Sequence, residues 1–388
     1  MTVDTFINGY YSVNEEIYTN KMHAMLRASE KKSNVQWHYF DEVFHNANKI
    51  DLGHQNLQNL YKERAFQLRD TYDYLVLYYS GGSDSWNILN TFLKHNIKLD
   101  CVFVHQPMKA IDKNIYVPNS LNVSGYNNFS EWDLVIKKDL DWLTNAHPEI
   151  HIEIGDWTDS LTNSINIFDR LIDEGNAHTH MARLLKKQCK CKYEIEALKK
   201  RKSVGTIYGI DKPQLVEKDN VCYFQFNDIS CVGNINPDNP YAIEYFYCTP
   251  KFPILAIEQA YQLFMWYKQN PQYRYLIQAL NSRTDLKNKK LSDLYLEGNI
   301  REHIAKTVLY PDWDLTKFQT QKPIPNSKLP AGIRQWEAPL QHITDFVEAG
   351  KKWKYHWDTF MPMLDKKFLV ADDQFKIIKS KWHQLTVS

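Results

Sequence analysis

The stretch Tyr74-Leu-Val-Leu-Tyr-Tyr-Ser-Gly-Gly-Ser-Asp-Ser85 decides the fold class of this chain. It begins with a continuous apolar run of strand length, which is typical of a parallel strand buried on both faces. The two glycines that follow allow a tight turn of the backbone. The spacing of Ile88, Leu89 and Phe92 then predicts a helix. A strand, a glycine turn and a helix in this order indicate an α/β unit.

Strand-like and helix-like segments go on alternating downstream of this unit. Residues 101–104, 150–154 and 204–210 predict strands, and helical spacing occurs at 161–172 and from near Thr179 to Lys200. We therefore predict an α/β fold whose mostly parallel sheet has helices on both faces and right-handed crossovers.

Three regions are predicted along the chain. Residues 1–70 form an N-terminal hairpin followed by helices, residues 71–215 form the α/β domain, and residues 216–388 form a mixed, largely helical C-terminal extension. Within the extension, residues 221–226 and 242–247 predict the strands of a small unit, and 254–267 predicts a strong helix. A proline-rich linker is expected near 310–335, followed by a tail that is helical in part.

Composition and charge limit the cellular setting. The chain has 388 residues, a formal net charge of +1 and a pI near 7.6, so no global basic field draws it to nucleic acid. No apolar stretch approaches the roughly 18 residues that a membrane-spanning helix needs, and no signal-peptide pattern is present. The 6 cysteines are scattered rather than framed as in a small secreted scaffold. We expect a cytoplasmic protein that does not associate with membranes.

The loop 80–85 is a candidate phosphate-binding site. The hydroxyl groups of Ser80, Ser83 and Ser85 can donate hydrogen bonds to phosphate oxygens. The following helix adds unpaired N–H groups and the positive end of its dipole. In an open α/β sheet such a loop lies at the carboxyl ends of the strands, where ligands bind. The alternative is an incidental serine–glycine turn between a strand and a helix.

Two common phosphate-binding motifs are excluded. A Walker A loop requires Gly-x4-Gly-Lys followed by Ser or Thr, and the chain contains no such string. A dinucleotide fingerprint requires Gly-x-Gly-x-x-Gly, whereas this loop has two adjacent glycines and no third.

The loop resembles the Ser-Gly-Gly-x-Asp-Ser signature of the PP-loop superfamily of N-type ATP pyrophosphatases, which includes asparagine, GMP and NAD synthetases and tRNA-thiolating enzymes. The resemblance covers residues 72–213 and implies a HUP-like, adenine nucleotide α-hydrolase-like fold, with ATP and Mg²⁺ as cofactors. ATP would be cleaved between its α and β phosphates. Adenine would contact the backbone around Val104 and His105, at the end of the second strand. Pyrophosphate would be held by Ser80, Gly81, Gly82, Ser83 and Ser85.

The same resemblance assigns chemistry to three further residues. Asp84 would hold the shape of the loop or help to orient Mg²⁺, which makes it a candidate catalytic and metal-binding residue. Asp211 is a candidate Mg²⁺ ligand, and Lys212 is a candidate catalytic contact to the α-phosphate or leaving group. A plain turn closed by Pro213 is the alternative for these two residues. The preceding segment 61–77 also resembles uncharacterised PP-loop proteins of large tailed bacteriophages.

The nitrogen or sulfur donor is not evident. The chain begins Met1-Thr2-Val3, whereas a fused glutaminase of this superfamily begins with Cys after the initiator Met. We therefore expect free ammonia or a separate ammonia or sulfur donor protein. The sequence offers Cys189-x-Cys191 but no Cys-x-x-Cys pair. On the predicted helix Cys189 is expected to be buried and Cys191 to be exposed, too far from His178 and His180 for a zinc site.

Three functions remain open at this point. The first is an adenylating ligase or amidotransferase that activates a carboxyl or carbonyl oxygen of a small-molecule acceptor for attack by an amine, ammonia or sulfur. The second is a PP-loop enzyme that modifies a base in tRNA or DNA, although the near-neutral charge disfavours it. The third is a nucleotide-binding module without turnover.

Overall fold

A three-stranded antiparallel sheet opens the chain. The computed structural model describes residues 9–47, 52–53, 56–106, 108–111, 132–157, 189–210, 212–228, 241–278, 291–317, 361–371, 374–375 and 377–385. Strands β1 (Tyr10–Val13) and β2 (Glu16–Tyr18) form the predicted hairpin, which turns at Asn14 with φ 54°. After helix α1 (Lys21–Lys31), strand β3 (Val35–His38) pairs with the other edge of β1. The sequence did not predict this third strand.

Two helices connect this sheet to the α/β core. Helix α2 (Asp41–Ala47) follows β3 directly, and α3 (Leu57–Thr71) begins after Asn56, whose side chain accepts a hydrogen bond from the Gln58 N–H. The apolar face of α3 is buried in the core; it comprises Leu57, Leu60, Tyr61, Ala65 and Leu68.

The α/β core follows the predicted alternation of strands and helices. In chain order its elements are β4 (Tyr74–Tyr78), α4 (Ser83–Lys94), β5 (Cys101–Gln106), α5 (Met108–Ile111), α6 (Lys137–Ala146), β6 (His151–Asp156), α7 (Lys192–Lys199) and β7 (Val204–Tyr208). One turn of π-helix, Trp132–Ile136, leads into α6. The helix predicted from near Thr179 is wrong at its described end, because α7 begins at Lys192. The helix predicted at 161–172 lies outside the described residues.

The rest of the described chain adds short strands and two long helices. They are β8 (Gln214–Lys218), β9 (Val221–Gln225), β10 (Tyr241–Tyr245), α8 (Pro253–Gln269), α9 (Leu291–Leu309), β11 (Leu369–Ala371), β12 (Gln374–Phe375) and β13 (His383–Gln384). Strands β8, β9 and β13 form an antiparallel sheet in the order β13-β9-β8. Helix α8 covers the predicted 254–267, whereas α9 is a helix that the sequence did not predict.

The central sheet has five parallel strands in the order β10-β7-β4-β5-β6. Strand order therefore reverses at β4, with β5 and β6 on one side and β7 and β10 on the other. The strand predicted at 242–247 exists, but it joins this sheet as β10 rather than a small separate unit. The division of the chain into three domains stays a prediction.

Burial of β4 on both faces explains its unbroken apolar sequence. Leu75 and Leu77 belong to the large core cluster that also contains Ile88 and Phe92 of α4. Tyr74 and Val76 face the other way, into a second cluster with Cys101, Cys191 and Ala197 of α7. Because helices cover both faces, the alternation of polar and apolar residues that marks a half-exposed strand is absent here.

Candidate functional site

The loop 80–85 lies where the order of the sheet strands reverses. It follows β4, and residues 209–210 and 212 follow the adjacent parallel strand β7, so both segments leave the sheet at the same carboxyl edge. A methyl group on Gly209 would lie 3.0 Å from the Ser85 N atom, so the two segments are in contact. In open α/β sheets this reversal point is the usual position of a ligand-binding crevice.

Backbone geometry leaves the start of α4 open to an anion. Gly81 has φ 78°, a conformation that costs other residues energy, and a methyl group there would lie 2.6 Å from Ile136 Cγ1. Gly82 is the N-cap of α4, and no side chain caps the helix. The first N–H groups of this helix of 12 residues therefore have no side-chain acceptor within the described chain.

The three serines of the loop differ in what their hydroxyls do. Ser85 Oγ accepts from the Ser80 N–H at 3.2 Å and lies 3.1 Å from the Gly82 carbonyl, to which it donates. The Ser85 hydroxyl thus links two parts of the loop by hydrogen bonds, and it donates its proton to the Gly82 carbonyl. The Ser80 side chain is exposed to solvent. Ser83 Oγ is buried and has no hydrogen-bond partner among the described residues. Its hydroxyl is therefore available to donate a hydrogen bond to a ligand oxygen.

Asp84 is held by two side chains from distant parts of the sequence. Lys212 Nζ lies 2.7 Å from Asp84 Oδ1, and Tyr310 Oη donates to the same oxygen at 2.6 Å. Lys212 also reaches Glu302 Oε2 of α9 at 3.6 Å. Burial raises the pKa of Tyr310 well above its ordinary value, so the phenol remains protonated and acts as the donor.

A second tyrosine supports the Asp84 backbone. Tyr247 Oη donates to the Asp84 carbonyl at 2.8 Å and lies 3.1 Å from Asn87 Nδ2. Burial likewise raises the pKa of Tyr247. Sequence reasoning missed Tyr247 and Tyr310. The only signal was an aromatic content of 14%, which does not distinguish site residues from core residues.

The predicted adenine contacts lie close to the carboxyl edge. Strand β5 continues one residue past His105, to Gln106, while its pairing with β4 ends at Tyr78 and Phe103. The backbone at Val104 and His105 therefore projects beyond β4 on the side of the loop. The Val104 side chain is buried, and His105 Nε2 lies 2.7 Å from the Cys189 carbonyl oxygen.

Only one of the two predicted Mg²⁺ ligands lies among the described residues. Asp84 is described, and its side chain is 32% exposed. Asp211 lies outside the described residues, as do His178 and His180. In the ranges that the structure covers, no group of three His, Cys, Asp or Glu side chains is arranged to hold a metal ion. Mg²⁺ commonly binds through only one or two carboxylates plus phosphate oxygens, so Asp84 fits the role of one such ligand.

The cysteine prediction was wrong in its orientation. Cys191 is fully buried, whereas Cys189 is partly exposed. Neither residue belongs to α7, because the helix starts at Lys192. Cys191 is the N-cap residue of α7. Its side chain is buried against the face of the sheet that α7 covers, and its Sγ lies 3.6 Å from Cys101 Sγ.

The densest basic run that the structure describes lies away from the loop. Residues 199–202 are exposed and directly precede β7, so they lie at the amino-terminal edge of the sheet. No helix within the described part of the chain is long and apolar enough to span a bilayer.

Similarity to known proteins does not add to this geometry. No protein-family model, curated protein or solved structure matches the chain.

Proposed function

We propose that this protein binds ATP at the loop 80–85, cleaves it between the α and β phosphates and transfers AMP to an oxygen of an acceptor. The observation that carries the proposal is the contact between this loop and the Lys212 side chain. Lys212 Nζ is 2.7 Å from Asp84 Oδ1, at the carboxyl ends of two adjacent parallel strands. The proposal makes the chain a PP-loop enzyme.

Three features of the loop suit a polyphosphate. The uncapped start of α4 offers N–H donors and a positive dipole end. The φ of Gly81 lets the backbone fold tightly around an anion. The buried Ser83 hydroxyl, without a partner in the described chain, supplies one more donor.

In this mechanism the protein contributes position and charge rather than covalent chemistry. The acceptor oxygen attacks the α-phosphorus in line, and pyrophosphate leaves with the electron pair of the broken bond. Lys212 and the α4 N–H groups compensate the negative charge that develops on the leaving group. Asp84 orients Lys212 and would hold Mg²⁺ together with phosphate oxygens. The ion, when bound, supplies electrostatic stabilisation of the transferred group.

The acceptor is proposed to be a small molecule whose carboxyl or carbonyl oxygen becomes an AMP ester. Ammonia, an amine or a sulfur nucleophile, delivered free or by a separate donor protein, then displaces AMP. A nucleic-acid acceptor is less favoured because residues 199–202, the described basic run, lie at the edge of the sheet opposite the loop.

Phosphorus NMR of ATP, Mg²⁺ and the purified full chain, with and without a small-molecule cell extract, tests the proposal. We expect AMP and pyrophosphate. Asp84→Ala and Ser85→Ala should abolish this cleavage, and Lys212→Met should slow it on the order of 100-fold or more, the usual effect of removing one transition-state stabiliser. Asp141→Ala, at an exposed position of α6, is the matched control and should cleave like the unmodified chain.

Each other result has a defined meaning. ADP and phosphate would overturn the proposed mechanism, as would full activity in Asp84→Ala. Tight ATP binding without any turnover, measured by calorimetry, would favour a nucleotide-binding module.

A further inference from the structure

A Ser–His–Asp arrangement lies on the N-terminal sheet, independent of the nucleotide loop. Ser12 Oγ is 2.9 Å from His38 Nε2, and His38 Nδ1 is 3.0 Å from Asp41 Oδ2. The contact with Ser12 thus uses one ring nitrogen and the contact with Asp41 uses the other. This is the connectivity in which a carboxylate orients an imidazole base towards a hydroxyl nucleophile.

Strand register brings the three side chains together. Tyr10 of β1 pairs with His38 of β3, and Ser12 pairs with Gln36, so Ser12 and His38 are diagonal neighbours on one face of the sheet. Asp41 follows His38 by three residues, at the first turn of α2. The His38 ring also stacks on Tyr10, with centroids 4.7 Å apart, which restricts its rotation.

Electrostatics keep Asp41 in the form that this role needs. Burial raises the pKa of Asp41, but the hydrogen bond and charge interaction with His38, aided by Lys381, outweigh burial and lower it overall. An ionised Asp41 accepts from His38 Nδ1–H, which leaves the Nε2 lone pair facing the Ser12 hydroxyl. Asp41 is therefore the positioning residue of the arrangement.

A cavity borders the histidine. Its volume is about 260 Å³, and it is lined by Val35, Gln36, Trp37 and His38 of β3 together with residues 379–381. Gln36 is the cross-strand partner of Ser12, so the two side chains leave the same face of the sheet, and the Gln36 amide is a candidate donor to an oxygen that develops negative charge. Ser12, Gln36 and His38 thus share one face of the sheet, and Gln36 and His38 also line the cavity.

Two unsatisfied polar atoms lie in or beside the arrangement. Asp41 Oδ1 and His383 Nε2 are buried and 4.0 Å apart, and neither makes a hydrogen bond to the described residues. His383 is 2% exposed. Buried polar atoms without partners are costly, and a catalytic role is one explanation for their presence in a native structure.

We propose that Ser12, His38 and Asp41 form a second active centre, which hydrolyses esters of small carboxylic acids whose acyl group occupies the adjoining cavity. His38 takes the Ser12 proton as Oγ bonds to the carbonyl carbon. The ester C–O bond then breaks, and the leaving alcohol receives that proton. Water attacks the acyl-Ser12 ester, gives its proton through His38 back to Ser12 and releases the acid.

The test uses the full chain, a fluorophosphonate probe that labels activated serines, and p-nitrophenyl acetate as the ester. We expect mass spectrometry to locate the label on Ser12 and a p-nitrophenol burst to precede steady turnover. Ser12→Ala should abolish both, and Asp41→Asn should lower kcat by on the order of 10³ to 10⁴ with a changed pH profile. Ser33→Ala is the control, because the Ser33 hydroxyl donates to Asn14 Oδ1, away from the three residues, and should leave both unchanged.

The unmodified protein alone can refute the proposal. A folded chain that leaves Ser12 unlabelled by the probe would overturn it even if Ser12→Ala fails to fold. Equal ester hydrolysis in folded Ser12→Ala would also overturn it.

Discussion

Gly81 and Gly82 are adjacent in the loop but play different roles. Gly81 has a positive φ of 78°, and a methyl group there would meet Ile136 Cγ1 at 2.6 Å, whereas the nearest atom to a methyl group on Gly82 is Ser80 Oγ at 3.5 Å. Gly82 has φ −79°, which any residue adopts. The need for glycine is therefore conformational at position 81 only.

We expect Gly81→Ala to lower the free energy of unfolding by about 1–3 kcal/mol, from the strained backbone and the contact with Ile136. Gly82→Ala, the matched control, should change it by less than about 0.5 kcal/mol. Urea unfolding of both variants measures the difference. Equal effects would show that the loop adopts another backbone conformation in solution.

Most of the loop could be predicted from local sequence, but its partners could not. The glycines, the helix start and the preceding buried strand lie within twelve consecutive residues, 74–85, and each follows from short-range rules. Tyr247 and Tyr310 reach Asp84 from far along the chain. Nothing in the residues flanking either tyrosine distinguishes it from an ordinary core aromatic.

At the level of elements, periodicity located the strands but not always their neighbours. Strands β4, β5, β6 and β7 lie at the predicted places because their apolar runs are local signals. The place of β10 beside β7 depends on a pairing between segments far apart in sequence. The predicted exposure of Cys191 is wrong for a related reason. The prediction assumes helical spacing through residues 189–191, which are not helical. The buried and the exposed cysteine are therefore exchanged.

The segment before α7 makes a testable difference between cysteines. Cys101 and Cys191 are buried with their sulfurs 3.6 Å apart, whereas Cys189 is partly exposed. The contact with Cys191 and burial raise the pKa of Cys101, and burial raises that of Cys189 less severely. Thiolates are the species that react with alkylating reagents, so buried thiols with raised pKa values react slowly.

We expect iodoacetamide to modify Cys189 before Cys101 or Cys191 in the native protein, and all three at similar rates in urea. Peptide mass spectrometry over a time course measures the order. Early modification of Cys191 would contradict its placement beneath the sheet.

At the scale of the whole molecule, the N-terminal sheet and α1 are fixed to the rest of the chain by a buried ion pair. Lys21 Nζ lies 2.7 Å from Asp228 Oδ2, with side chains 1% and 0% exposed. Tyr11 Oη and the Ile378 N–H also donate to this carboxylate. The pair therefore joins segments from the start, middle and end of the sequence.

Lys21→Met should lower the free energy of unfolding by about 3–5 kcal/mol, because it leaves the Asp228 charge buried without its partner. Lys31→Met, at an exposed position near the end of the same helix, should change it by less than about 0.5 kcal/mol. Adding Asp228→Leu to Lys21→Met should recover part of the loss, since the uncompensated charge is removed. Thermal and urea unfolding of the four chains test this, and equal effects of the two lysine variants would contradict the buried pair.

His383 makes the stability of the assembled molecule depend on pH. Its ring packs among Phe224, Phe44 and Phe226, and burial lowers its pKa to about 4, with the Asp41 charge opposing the shift. A base whose folded pKa lies below its unfolded value contributes stability above pH 6.5, and this is lost as the pH falls towards 4. From this residue we expect the free energy of unfolding to fall by about 2 kcal/mol between pH 7.5 and pH 5.

His383→Phe should remove that contribution, because phenylalanine keeps the aromatic packing but cannot take up a proton. Between pH 7.5 and pH 5, the free energy of unfolding of the variant, measured with urea, should therefore fall by about 2 kcal/mol less than that of the unmodified chain. The carboxylates of Asp100 and Glu244 also have lowered pKa values, mainly because hydrogen bonds and charge interactions with arginine and lysine outweigh burial. They lose their contribution at lower pH in both chains, so the comparison isolates His383. An unchanged pH slope in the variant would mean that the imidazole is solvated in solution and that β13, which carries it, does not pack against the three phenylalanines.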